Sequence, residues 1–238
     1  LNQLRPSGGI YYLNPGYAQG QRAGRITCAL EAKLAAGPVD RDDMAEIQAN
    51  VQLLDAEVFT PVITAAWDAA VQPDADAVLA AFSKDERLGE AVARLRNWDF
   101  STPTGVMGGF DAGDATGRTV EPDEAESAAS VNATIYSVWR GQMIRRVIDD
   151  TVAPLGLSAP GSAQSLTALR NIVDNVDTAG GVGASGVDFL NAPGESAEIR
   201  LAWITLPALS DALDRLAGPA FDAAFGGSAD QSSYRWGR

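Results

Sequence analysis

From Asp123 to Val152 the residues Ala125, Ala128, Ala129, Asn132, Ile135, Tyr136, Trp139, Met143, Val147 and Ile148 recur at three- and four-residue steps. That period predicts a long amphipathic helix with one broad buried stripe, and such a stripe must be covered by other elements. The same period returns from Ser196 to Ala217 through Ile199, Trp203, Leu206, Leu209, Leu213 and Leu216. Pro207 is expected to kink this second helix, and Gly218-Pro219 stops it.

Shorter helices fill most of the remaining chain. Ile26, Leu30 and Leu34 mark a first helix over Gln21 to Ala36, ended by Gly37-Pro38. Asp40 is the expected N-cap of a second, with Asp42 and Asp43 in its first turn and Met44, Ile47, Val51, Leu54 and Val58 along one face. Pro61 predicts a break or kink near Thr60, after which the helix resumes through Trp67 to Ala70. Asp74 to Phe82, Asp85 to Asn97 and Ala163 to Val176 complete the set, and Phe221 with Phe225 suggests one short turn more. Trp98 and Phe100 are expected as core plugs, and Arg140, Arg145 and Arg146 as surface partners of Asp149 and Asp150.

Composition narrows the chemistry. The 238 residues include 46% hydrophobic ones, no apolar run of bilayer-spanning length, 18 basic and 31 acidic side chains, and a formal charge of −13. That balance argues against nucleic acid and anionic membranes as partners, since both demand clustered cations. Histidine is absent. Ser-His-Asp and Cys-His catalysis and histidine-bearing zinc sites are thereby excluded from this chain. The lone cysteine, Cys28, cannot form an internal disulfide and is expected to be a small buried thiol.

Three motifs invite a function and fail on context. Asp111, Asp114, Glu121, Asp123 and Glu124 lie in or beside an aperiodic stretch from Ser101 to Pro122, but lack the alternating spacing of a calcium loop. Gly181-Val182-Gly183-Ala184-Ser185-Gly186 matches the dinucleotide fingerprint literally, yet a helix precedes it where a strand is required, so it reads as a flexible loop. Asn132-Ala133-Thr134 is a glycosylation sequon placed in the middle of a helix.

The N-terminal stretch is different. Ile10 to Leu13 is a short β-prone run that stops at Asn14-Pro15-Gly16, and Arg22 enters the first turn of the helix that follows. An amide at the end of a strand and a guanidinium at a helix start can together stabilise an oxyanion. A turn asparagine and a solvated arginine are the plainer alternative.

An apolar strand reaching an asparagine, a loop, and then Arg22-Ala23-Gly24-Arg25-Ile26 resembles the β-chain of the penicillin amidase (penicillin acylase) family, a group of N-terminal-nucleophile hydrolases. Asp43 to Gln48 with Asn50-Val51, Leu95 to Asp99, Ala133 to Trp139 and Tyr234 to Arg238 fit the same family in the same order. The resemblance implies a mainly α fold, a multi-helix orthogonal bundle, whose short N-terminal strand joins the αββα core of a parent enzyme. Residues 1–21 would be strand and loop at the edge of that core, and residues 22–238 the helical region. Since the chain runs from Leu1 to Arg238 with neither start methionine nor closing helix, it is expected to be a segment of a longer polypeptide.

The resemblance also implies a reaction. Family precursors cleave themselves and expose a serine whose α-amine is the base, which would remove the need for histidine. That nucleophile would lie upstream, outside this chain. Asn14 would be the oxyanion-hole asparagine and Arg22 the arginine beside it. The expected substrate is a small acyl-amide, whether a β-lactam side chain, an acyl-homoserine lactone or a lipopeptide, and the expected partner is the remainder of the same precursor. Export to periplasm or medium is implied by resemblance alone. Two departures stand out: Pro15 replaces the usual second asparagine, and the loop to Arg22 is short. No acidic residue lies between Asn14 and Arg22, so the calcium ligand that some relatives carry there is missing, and no cofactor or metal is assigned. A non-catalytic acidic helical interaction domain remains the alternative.

Overall fold

A computed structural model describes residues 8, 20–111, 114 and 118–238. Among these the chain is mainly helical, and the only β-pairing is an isolated bridge between Val182 and Asp188. The strand expected over Ile10 to Leu13 lies outside the described residues.

Helix α6 (Glu124–Ile144) and helix α10 (Ala197–Leu216) are the two sequence stripes, and they pack on each other and on α3 (Leu54–Ala70). Trp139 is fully buried where the three meet; its indole donates to the Thr205 carbonyl at 3.3 Å. Phe59 packs against it with ring centroids 6.5 Å apart, and Ile63, Leu209 and Leu213 belong to the same buried core. Both long helices begin on side-chain caps: Asp123 makes a capping box with Glu126, and Ser196 accepts from the Ile199 amide. Pro207 lies within α10, which stays helical through it.

Around this core sit α1 (Gln21–Ala36), α2 (Arg41–Ala49), α4 (Ala77–Phe82), α5 (Glu86–Arg96), α7 (Asp150–Val152), α8 (Ser162–Asp174), α9 (Val176–Ala179) and α11 (Asp222–Phe225). The C-terminal segment locks onto α6 and the loop before it: Trp236 N–H donates to Ser130 Oγ at 2.7 Å and Gly237 N–H to the Thr104 carbonyl at 2.9 Å. Tyr234 is fully buried beside Phe225. No helix among the described residues is long and apolar enough to cross a membrane.

Several expectations are corrected. The periodic face from Met44 to Val58 is two helices, because Asn50–Leu53 leave the helical path to bond a neighbouring loop. Near Pro61, where a break or kink was expected, the chain does not break: α3 is helical from Leu54 to Ala70. The long helix over 123–152 contains a π-turn at Arg145–Asp149, which places Val147 and Ile148 both in the core. Arg140 and Arg146 pair with Asp55 and Asp211 on other helices, and only Arg145 keeps its expected partner, Asp150, at 3.9 Å. Helix α1 buries no residue fully; Ile26 and Leu34 are exposed, as is Cys28. The loop over 181–186 is anchored rather than free: Arg200 donates to the Gly180 carbonyl and to Asp188, both at 2.7 Å, and Leu190 plugs the core beneath.

Candidate active site

The start of α1 is built to present positive charge. Gly20 adopts φ 80°, a left-handed conformation suited to glycine, and turns the chain into the helix. Among the described residues no side chain caps the first turn, and no acidic residue lies in it, so the positive end of the helix dipole is not offset there by a described carboxylate. Arg22 is exposed in that turn.

Two contacts fix α1 against the body. Gly24 lets it approach α3 closely, since a Cβ there would stand 2.8 Å from Leu54 Cδ2. Arg25 crosses to an ion pair with Glu57. Farther along, Lys33 bonds Asp43 at 2.9 Å and Glu46 at 2.5 Å, tying α1 to α2. These carboxylates push the Lys33 ammonium up to about 12.

Arg22, Arg25 and Arg140 line one hollow of about 340 Å³ between α1, the 50–53 loop and α6. Its floor is Ile47 and Leu54, and its polar wall is Asn50, Gln52 and Asp55. Asp55 is nearly buried, with 9% of its side chain exposed, and it accepts from Arg140 at 2.6 Å and from the Tyr136 hydroxyl at 2.9 Å. Burial first, then the Asp55 carboxylate, pushes the Tyr136 hydroxyl well above its ordinary value, so it stays a donor. Arg25 and Arg140 are thus neutralised by Glu57 and Asp55, whereas Arg22 enters none of the ion pairs among the described residues. In a chain of net charge −13 this is a local reversal of sign, suited to an anion or a developing oxyanion.

A ridge separates this hollow from a second one. The 50–53 loop is pinned to residues 99–102 by Leu53 N–H to the Phe100 carbonyl (2.9 Å), Gln52 Nε2 to the Asp99 carbonyl (2.9 Å) and the Thr102 hydroxyl to the Val51 carbonyl (2.7 Å). Phe100 takes φ 67°, a strained value for an aromatic residue. Its ring packs edge-on against Trp98 at 5.5 Å, and Trp98, Tyr136, Trp139 and Phe59 continue the aromatic contacts into the core.

Of the two residues singled out in the sequence, Arg22 stands at the helix start as expected, and Asn14 lies outside the described residues. Asp55, Tyr136 and Arg140 were missed. Asp55 and Arg140 are 85 positions apart, and no local pattern announces their pairing. The acidic loop residues serve the backbone: Asp111 accepts from Thr104 N and Oγ1, and Asp114 from the amides of Asp111 and Val120. Among the described residues no cluster of His, Cys, Asp and Glu is arranged to hold a metal ion. No curated protein matches the chain. A family model does match, over residues 2–238, and it is that of penicillin amidase.

Proposed function

Because the chain belongs to the penicillin amidase family, a family of amide hydrolases, we propose that it is the part of a self-processed N-terminal-nucleophile acylase that stabilises the oxyanion formed at a substrate's amide carbonyl. The observation that supports this reading is Arg22, an exposed guanidinium at a helix start that no described side chain caps, on a hollow rich in arginine.

The chemistry is the one the family reading implies, and no histidine of this chain takes part in it. A serine at a new chain terminus, outside this polypeptide, attacks the acyl carbon while its α-amine takes the hydroxyl proton. The carbonyl oxygen becomes an oxyanion, held by the Asn14 amide and by the positive field of Arg22 and the α1 terminus. Collapse of the tetrahedral intermediate breaks the C–N bond, and the amine leaves with the proton that the α-amine had accepted. Water then hydrolyses the acyl-serine ester by the same proton route in reverse. Arg22 takes no proton in this scheme, so its role is electrostatic.

The substrate is a small neutral acyl-amide. Full-length precursor, purified and followed by mass spectrometry, is expected to split into two chains and then to release p-nitroaniline from N-acyl p-nitroanilides. A precursor that stays intact and releases no amine would overturn this reading.

A further inference from the structure

We propose that the hollow across the ridge from Arg22 is a substrate subsite, and that Asn132 is its specificity-determining residue, recognising a hydrogen-bond donor on an otherwise apolar, uncharged part of the acyl chain. This rests on the amidase reading for its substrate, and on the following geometry for its chemistry.

The hollow measures about 420 Å³ and is walled by Trp98, Pro103, Ala125, Ala128 and Ala129, with Asn132 from the middle of α6. Val51 lines both this hollow and that of Arg22, so one ligand can lie across the ridge and occupy the two. Val51 is 42% exposed, an apolar side chain at the point where a chain would cross.

The polar groups around the rim are already engaged. Asp99 accepts from the Ser101 amide and hydroxyl at 3.0 and 2.6 Å, Glu126 from the Asp123 amide at 3.1 Å, and Asn97 donates to the Ala93 carbonyl at 3.1 Å. The Trp98 indole is spent on the Ser101 carbonyl at 2.8 Å. Asn132 is the exception. Its residue is only 6% exposed, and its Oδ1 is buried with no hydrogen-bond partner among the described residues. A buried acceptor left open costs free energy that a fixed partner or a ligand recovers. Burial also closes the glycosylation reading of this sequon in the folded chain.

These features define the ligand. Apolar walls take an apolar group, the buried Oδ1 of Asn132 is satisfied only by an N–H or O–H that penetrates to it, and the carboxylates of Asp99 and Glu126, which also line the hollow, repel a free carboxylate. Without the donor the acceptor stays unsatisfied, which is how a polar site rejects an isostere.

The test uses full-length protein and matched probes. N-hexanoyl glycyl, β-alanyl and γ-aminobutyryl p-nitroanilides are each paired with the analogue in which oxygen replaces the inner N–H. Hydrolysis is followed by p-nitroaniline release and binding by calorimetry. At one of the three spacings the amide member is expected to bind, and to be turned over in kcat/KM, about tenfold or more better than its ester partner. Asn132→Leu is expected to abolish that preference, the amide and ester members of the pair then being bound and turned over alike to within about twofold. The wild-type ratios do not depend on the variant folding. Equal treatment of every pair, failure of all six probes to bind, or a preference that survives in Asn132→Leu overturns the proposal. Selective binding of the amide member without turnover upholds the subsite and overturns the amidase reading instead.

Discussion

Asp55 holds the candidate site together from beneath. Its carboxylate is nearly withdrawn from water and satisfied by Arg140 and Tyr136. Arg140→Met leaves that charge without its cation and is expected to lower stability by about 1–3 kcal/mol, read as a shift in the urea midpoint. Tyr136 gives a pH signature. Its folded hydroxyl is held neutral above the ordinary value of 10.0, so its contribution is full below that pH and is lost as the pH rises, because the unfolded phenol ionises first. Tyr136→Phe is therefore expected to flatten the alkaline fall in stability between pH 9 and about 11. Asp85 has the opposite sign. Its hydrogen bonds from the Arg87 side chain hold its carboxyl below 3.8, so the stability it adds is present above that pH and disappears as the pH falls through the folded value. The denaturant-midpoint gap between wild type and Asp85→Asn is expected to be constant at neutral pH and to close in acid.

At the scale of elements, what matters is how α1 is held, because α1 carries Arg22. It contributes no fully buried residue, and its attachment rests on the Gly24 approach, the Arg25 pair with Glu57 and the Lys33 bonds to α2. Gly24→Leu is expected to lift the helix start from α3 and lower kcat more than it lowers stability, with faster amide exchange confined to α1. The Asp40 capping box anchors the second half of the clamp. Asp40→Ala is expected to cost about 1 kcal/mol in thermal unfolding. Helix existence and type were legible in the sequence because the apolar periods are long and the caps are local: Asp40 caps as expected, and Asp85, Asp123 and Ser196, the first residues of their expected helices, prove to be caps as well. The break at residues 50–53 was not legible. Ile47, Val51, Leu54 and Val58 stay in helical phase, and what pulls the backbone away is bonding to Asp99, Phe100 and Thr102, far off in the sequence.

For the whole molecule, α3, α6 and α10 share one hydrophobic core that includes Trp139, and the polar hollow and the apolar one lie beside it. The family and the helical class were readable because motif order runs along the chain. The position of Arg22 at a helix start was readable because that start is local. The Asp55 network and the Asn132 hollow were not, since each is assembled by packing between residues that carry no mutual signal in sequence. The central claim is that Asn14 and Arg22 act on the same reacting carbonyl, and steady-state kinetics of full-length, processed Asn14→Ala and Arg22→Ala on one p-nitroanilide tests it most directly. We expect Asn14→Ala to lower kcat by about 10²–10³ with little change in KM, and Arg22→Ala to lower kcat as well. Wild-type kcat in either variant would contradict the account.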